Sequence, residues 1–461
     1  MNASPKTAGR LDQRERTGTR GGRHGFWRQK WPALAALCVF ILLEYWLHDS
    51  APMDWMRTQS FEIIHRCLPL GRGDKLPLAI VDISSLPTTH ENADPGSGPL
   101  GVFHSDRDYT SRVALADLLA VLGRLQPLTI GVCVDFSPEF DGSPPPPGQF
   151  MFLEACERLK DPSGAAIPVF VAVSRAAGRP PRAWLGAPSL TNLAACGLRF
   201  PGRSIRMPST LTCDPDHVPL RSLSKALADT YLARTGLRPP EVPSVVNWLA
   251  ESDKLVIGGK GKEDVGTMTG FLVNYSFLPA LMQDRLGKMS ADELNIPAKD
   301  PPEAREAKER RLRAFFKDKV VLIGDAQPGA SYETAVIPGE SDPLPSLYTH
   351  ACAACTLIQS PLLEMGRVSG IVFTTTITFT LLVLNWLEWT KWLLSPRLAR
   401  HLRGNRLEIL HNFLAIAMVV GLAAGLAVFC HVLWLNSISS CAVFCAECYA
   451  ALYRDGDGAS T

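Results

Sequence analysis

SRVALADLLAVLGRLQPLTIGVCVDF, residues 111–136, decides the fold class. Its first half places Val113, Leu115, Leu118, Leu119, Leu122 and Leu125 along one flank of a helix, with Ser111 as N-cap. Pro127 then breaks the period. The residues from Thr129 to Phe136 are almost continuously apolar and β-branched, as expected of a strand covered on both faces. A helix feeding a buried strand is half of a parallel α/β repeat.

The same alternation extends in both directions. LAIVDI (78–83), PVFVAVS (168–174), FLVNYSF (271–277) and KVVLIG (319–324) read as further buried strands, and helical patterns cover 149–160, 220–235, 302–317 and 346–360. This predicts an α/β domain with a mainly parallel sheet. Gly- and Pro-rich insertions at 88–108, 141–148 and 175–218 interrupt it.

Outside this region the chain changes character. Residues 1–30 carry eight Lys/Arg against two acids and read as a basic disordered arm. The stretch 31–48 (WPALAALCVFILLEYWLH) has about the length of a hydrocarbon-spanning helix, with aromatic residues at both ends. No small-residue cleavage pattern follows it, so a retained anchor is preferred to a signal peptide. Three more apolar segments, 367–389, 409–435 and 437–453, follow the α/β region. The link 390–408 contains Lys391, Arg397, Arg400, Arg403 and Arg406. The positive-inside rule assigns that link and the arm to the cytoplasm. One N-terminal and three C-terminal spans then export residues 49–366 and leave the tail 454–461 inside. Residues 49–367 hold 33 basic and 37 acidic side chains. The net charge of +2 over 461 residues is therefore the sum of basic inner segments and a mildly acidic exported domain. Such a balance argues against nucleic acid as a partner, and 46% hydrophobic residues argue against a disordered chain.

The strand blocks in their order resemble the type 2 CHASE domain, the extracellular sensory module of bacterial receptor cyclases and kinases. LAIVDISSL supplies Asp82, Ser85 and Leu86, and the 111–136 block ends in Asp135 and Phe136. PLRSLSKALADTYL (219–232), LVNYSF with Asn274 and Tyr275, and residues 316–358, with Pro338 and the pair His350-Ala351, complete the resemblance. It spans roughly residues 55–365. The chain departs from the pattern in having Tyr109-Thr110-Ser111-Arg112 where a Trp-Pro-Arg stretch is common, and Glu333 where an Asp is common. The resemblance implies a multi-pass sensor of the bacterial inner membrane, homodimeric and without cofactor. Its external domain would detect a small-molecule or environmental signal. Only eight residues follow the last apolar segment, so the effector is expected to be a separate protein rather than a fused catalytic domain.

Candidate ligand-binding residues are Asp82, Asp135 and Asp325, each at a strand end, with Arg112 and His350 at helix starts. Each has a plainer alternative: carboxylates capping backbone amides, and polar side chains satisfying local partners. His350 is also a candidate pH reporter. Cys352 and Cys355 form a CxxC inside a helix, which reads as buried small residues or one arm of a distant disulfide rather than a redox or zinc motif. Cys196 and Cys213 enclose a loop of suitable length for a disulfide. Glu44 and Glu447 are acids within apolar segments, where an ionisable group is costly. GGKGKE (258–263) lacks P-loop spacing, and no GxSxG or HExxH string occurs. The expectation is a receptor and not an enzyme. An external enzyme or metal-binding protein built on the strand-end aspartates, or a structural membrane scaffold, are the alternatives.

Overall fold

The computed structural model describes residues 31, 34–39, 41–42, 45–46, 51–68, 76–90, 108–134, 136, 147–173, 193–195, 205–211, 220–238, 255–256, 267–268, 270–297, 299, 301–327, 334–335, 337, 340, 342–387 and 405–458. The main helices are α1 (Ala51–Cys67), α2 (Arg112–Arg124), α3 (Gln149–Arg158), α4 (Leu223–Thr235), α5 (Pro302–Phe316), α6 (Ser346–Gln359), α7 (Arg367–Trp386), α8 (Asn405–Cys430) and α9 (Ser437–Gly458). The sheet strands are β1 (Leu78–Asp82), β2 (Thr129–Val132), β3 (Val169–Val173), β4 (Leu193–Ala195), β5 (Lys288–Ser290) and β6 (Val320–Gly324). Two units emerge. An α/β unit comprises 61–364 and 427–433, and a helical unit comprises 1–60, 365–426 and 434–461.

The α/β unit is built on one parallel sheet in the order β5-β1-β6-β2-β3-β4. The long strands are buried throughout, as their continuous apolar runs require. One face carries Val81, Val132, Val171 and Ile323, which pack with Leu119 of α2, Phe152 of α3 and Phe316 of α5. The opposite face is covered by α4 and α6. Here two glycines permit close approach: a Cβ on Gly131 of β2 would lie 2.7 Å from Leu227 of α4, and one on Gly324 of β6 would lie 2.8 Å from Leu347 of α6.

Ser111 caps α2 as read from the sequence, its Oγ accepting from the Ala114 amide at 3.3 Å. The buried flank differs by one residue. Val113 is 46% exposed, whereas Arg112 is 2% exposed.

FLVNYSF does not join the main sheet. Only Gly270–Leu272 is extended, and it pairs antiparallel with Arg206–Pro208. Asn274 then turns the chain into the 3-10 helix Tyr275–Phe277 by accepting from the Ser276 amide at 3.0 Å. Beside this ribbon, Leu363–Glu364 pairs in parallel with Val432–Leu433, and Arg206 grips Glu364 through Nε at 2.9 Å and Nη2 at 2.8 Å. The segment expected to complete the second C-terminal span is thus partly strand: α8 ends at Cys430.

In the helical unit, two helices among the described residues are long and apolar enough to cross a membrane, Val368–Trp386 and Arg406–Cys430. They expose Val372, Phe379, Phe413 and Phe429, which a bilayer would cover without penalty. The third C-terminal segment is helical as α9 but is not among those two, and it runs to Gly458, past the expected start of the tail. The described residues of the stretch 31–48 are helical. The arm 1–30, Glu44 and most of the link 390–408 lie outside the described residues.

Glu447 acquires an assignment. Asn385 of α7 donates from Nδ2 to Asn412 of α8 at 2.7 Å and to Glu447 of α9 at 3.4 Å. Two further bonds tie α7 to the α8–α9 hairpin: Trp434 Nε1 donates to Thr374 and Thr378 donates to Ser440, both at 2.8 Å. α7 is therefore pinned at Thr374, Thr378 and Asn385, about one contact every one to two turns on one face.

Candidate functional site

β1 and β6 are neighbours, and their following helices leave on opposite faces of the sheet: α2 covers one and α6 the other. That divergence makes a topological switch point, the place at the C-terminal ends of the strands where open α/β sheets bind ligands. In-register pairing of Asp82 with Gly324 puts Asp82 beside the start of the β6 loop, where Asp325 follows.

Asp82 is 9% exposed, and its Oδ1 accepts from the amides of Ser84 at 3.0 Å and Ala326 at 3.2 Å. It therefore fastens the β1 loop to the β6 loop. Asp325 accepts from the Gln327 amide at 2.9 Å. Burial holds the Asp325 carboxyl above its ordinary value of 3.8, and the neighbouring Asp82 adds to the rise. Tyr348, in the first turn of α6, faces the same group. Its phenol is pushed up to about 12, first by burial and then by Asp82, Asp284 and Asp325. Asp284 is paired with Lys288 at 3.4 Å.

Two carboxylates and a neutral phenol therefore lie together at the switch point. Such a set accepts hydrogen bonds and attracts positive charge, so it suits an ammonium or guanidinium group. Among the described residues, no group of three or more His, Cys, Asp or Glu side chains is placed to hold a metal ion.

Of the candidates read from the sequence, Asp82 and Asp325 are brought together. Asp135 lies outside the described residues, as do Cys196 and Cys213. Arg112 turns onto the Phe136 ring, with its guanidinium carbon 4.0 Å from the centroid. His350 is fully buried, and two residues beyond Tyr348 it lies about 200° further round α6. A side chain without solvent access is poorly placed to report external pH. Cys352 and Cys355 are free and fully buried, and burial pushes both thiols up, as inert small core residues require.

Tyr348 and Asp284 were not singled out from the sequence. Tyr348 had a usable signal: the first turn of a helix after a β-strand loop opens on the same edge as the strand ends. Asp284 had none, because it enters through β5, a strand of three residues.

The Asp325 carboxylate carries a built-in cost. Its raised value means that its contribution to stability is full below 3.8 and is lost as pH rises through the folded-state value. Asp325→Asn keeps the acceptor for Gln327 and is expected to stabilise the protein at neutral pH by about 0.5–1 kcal/mol. The gain should vanish in acid. Thermal unfolding of the full chain in detergent micelles against pH checks both the sign and the pH dependence.

The chain matches no family model, and no curated protein or solved structure is significantly similar to it.

Proposed function

We propose that this chain is a membrane receptor of the type 2 CHASE kind, in which residues 49–366 form an extracytoplasmic sensor and the apolar segments 31–48, 367–389, 409–435 and 437–453 span the inner membrane. The observation that carries the proposal is the switch-point cluster of Asp82, Asp325 and Tyr348, with α6 leading within eight residues to the apolar α7. A ligand at this cluster touches the first turn of α6, and the far end of that helix continues in the chain to α7. The polar contacts at Thr374, Thr378 and Asn385 make α7, α8 and α9 respond together rather than α7 alone. The signal then passes to a separate effector, and the chain acts as a receptor rather than an enzyme. Differential affinity of the ligand for two states supplies the energy of the change.

The chemistry of the cluster favours cationic amines as the signal. Full-length protein in nanodiscs is expected to gain thermal stability from at least one class in a panel of mono-, di- and polyamines and basic amino acids. Asp82→Asn and Asp325→Asn should abolish that gain. A panel without effect, or an effect that survives both substitutions, counts against the site. Topology has a separate test: a reporter inserted after residue 250 should be active only outside the cytoplasm.

A further inference from the structure

His65 lies in the last turn of α1, the helix that follows the first apolar stretch. Its ring stacks on Phe61 with centroids 5.6 Å apart and meets Tyr275 edge-on at 6.3 Å. Its side chain donates to Asn274, a fully buried residue, and its Nε2 finds no hydrogen-bond partner among the described residues. Asn274 also reaches α6. Its amide donates to Thr356 Oγ1 at 2.8 Å, and its Nδ2 donates to Ser360 Oγ at 3.5 Å. One asparagine therefore joins the segment entering the α/β unit to the end of the helix leaving it.

Among the described residues, the charged or titratable groups around His65 are few. On its own helix Glu62 is engaged by Arg66 at 3.9 Å. From the facing turn comes Tyr275, and behind it Cys352 of α6; burial raises both far enough to keep them neutral. The remaining neighbours, Asn274, Thr356 and Ser360, carry no charge.

We propose that His65 is a proton-operated latch: as the neutral imidazole it holds the end of α1 against the Asn274–Ser360 junction, and protonation in acid loosens that hold. An imidazolium there would put a charge between two aromatic rings with a single neutral acceptor. Consistent with this, burial lowers the His65 value below the ordinary 6.5, and the hydrogen bond to Asn274 offsets only part of the effect. The sign follows. Docking is at full strength above 6.5 and is lost as pH falls from there towards the lowered folded-state value. The compartment whose pH is read depends on the topology proposed above, whereas the latch itself does not.

Hydrogen exchange of full-length protein in nanodiscs tests it, read at peptides covering 58–67 and 270–278 and corrected for intrinsic rates. Lowering the pH from about 7.5 to about 5.5 is expected to reduce protection at both peptides about tenfold. His65→Gln retains an N–H for Asn274 but cannot take up a proton, and its protection should be flat. Unchanged protection in the wild type, or an equal loss in His65→Gln, overturns the latch. Exchange of the imidazole C2 hydrogen, followed by mass spectrometry, gives the His65 midpoint in the unaltered protein whatever the variant's folding. A midpoint below 6.5 is expected, and one at or above it also overturns the proposal.

Discussion

Arg112→Ala is expected to destabilise the α/β unit by about 3–5 kcal/mol, the range for emptying a large core site and removing a buried charge from its partners. Arg112 is 2% exposed, although it sits at the first position of α2, where the helix dipole disfavours a cation. Its surroundings must offset that cost. The guanidinium carbon lies 4.0 Å from the centre of the Phe136 ring, whose other neighbour, Phe152 of α3, stacks at 5.0 Å with the planes 9° apart. Arg112, Phe136 and Phe152 thus form a column tying the start of α2 to α3. Arg112→Lys keeps the charge but loses the planar contact, and should cost less, about 1–2 kcal/mol. Chemical denaturation of the full chain in micelles, followed by circular dichroism, ranks the variants. An Arg112→Ala protein within about 1 kcal/mol of wild type would mean that the column is not an anchor.

Arg112 also shows where sequence reading stops. Periodicity predicts burial for Val113 because it ranks side chains by apolarity, and a 100° step separates neighbouring residues on a helix. It misses that an arginine stem and its flat guanidinium can fill a core position when an aromatic face lies opposite. The strands show a related limit. β1, β2, β3 and β6 are legible as long apolar runs, but β4 and β5 contain three residues each and leave no pattern. In FLVNYSF the run is apolar enough for a strand, yet local bonds from the Ser276 amide and hydroxyl to Asn274 divert it. The carboxylate pair was legible because strand ends are recognisable one at a time. Its assembly with Tyr348 and Asp284 was not, since that depends on β6 lying beside β1 across more than two hundred residues of chain. Glu447 is conspicuous as an acid in an apolar helix, and only the packing of α7 against α9 supplies Asn385 as a donor to it.

Asn274→Ala is expected to cost about 2–5 kcal/mol, because it strips partners from several buried groups at once. The Ser276 amide and hydroxyl lose the acceptor that shapes the 3-10 turn, Ser360 loses its donor, and His65 loses its acceptor. A simple loss of stability would not distinguish a hub from an ordinary buried amide, so Asn274→Asp is the sharper variant. Aspartate keeps the oxygen that Ser276 and His65 use, but it places an anion beside the imidazole. An adjacent carboxylate favours the imidazolium and raises the His65 value above 6.5. The linkage then changes sign: stability from the contact is full below 6.5 and is lost as pH rises through the new folded-state value. Unfolding curves across the histidine range should therefore slope in opposite directions in the wild type and Asn274→Asp, and removing His65 from either should flatten them. Asn274→Asp also removes the Nδ2 donor to Ser360, a loss that carries no proton in the histidine range, so parallel slopes in the two proteins would show that the pH response originates elsewhere than at the point where α1 meets the end of α6.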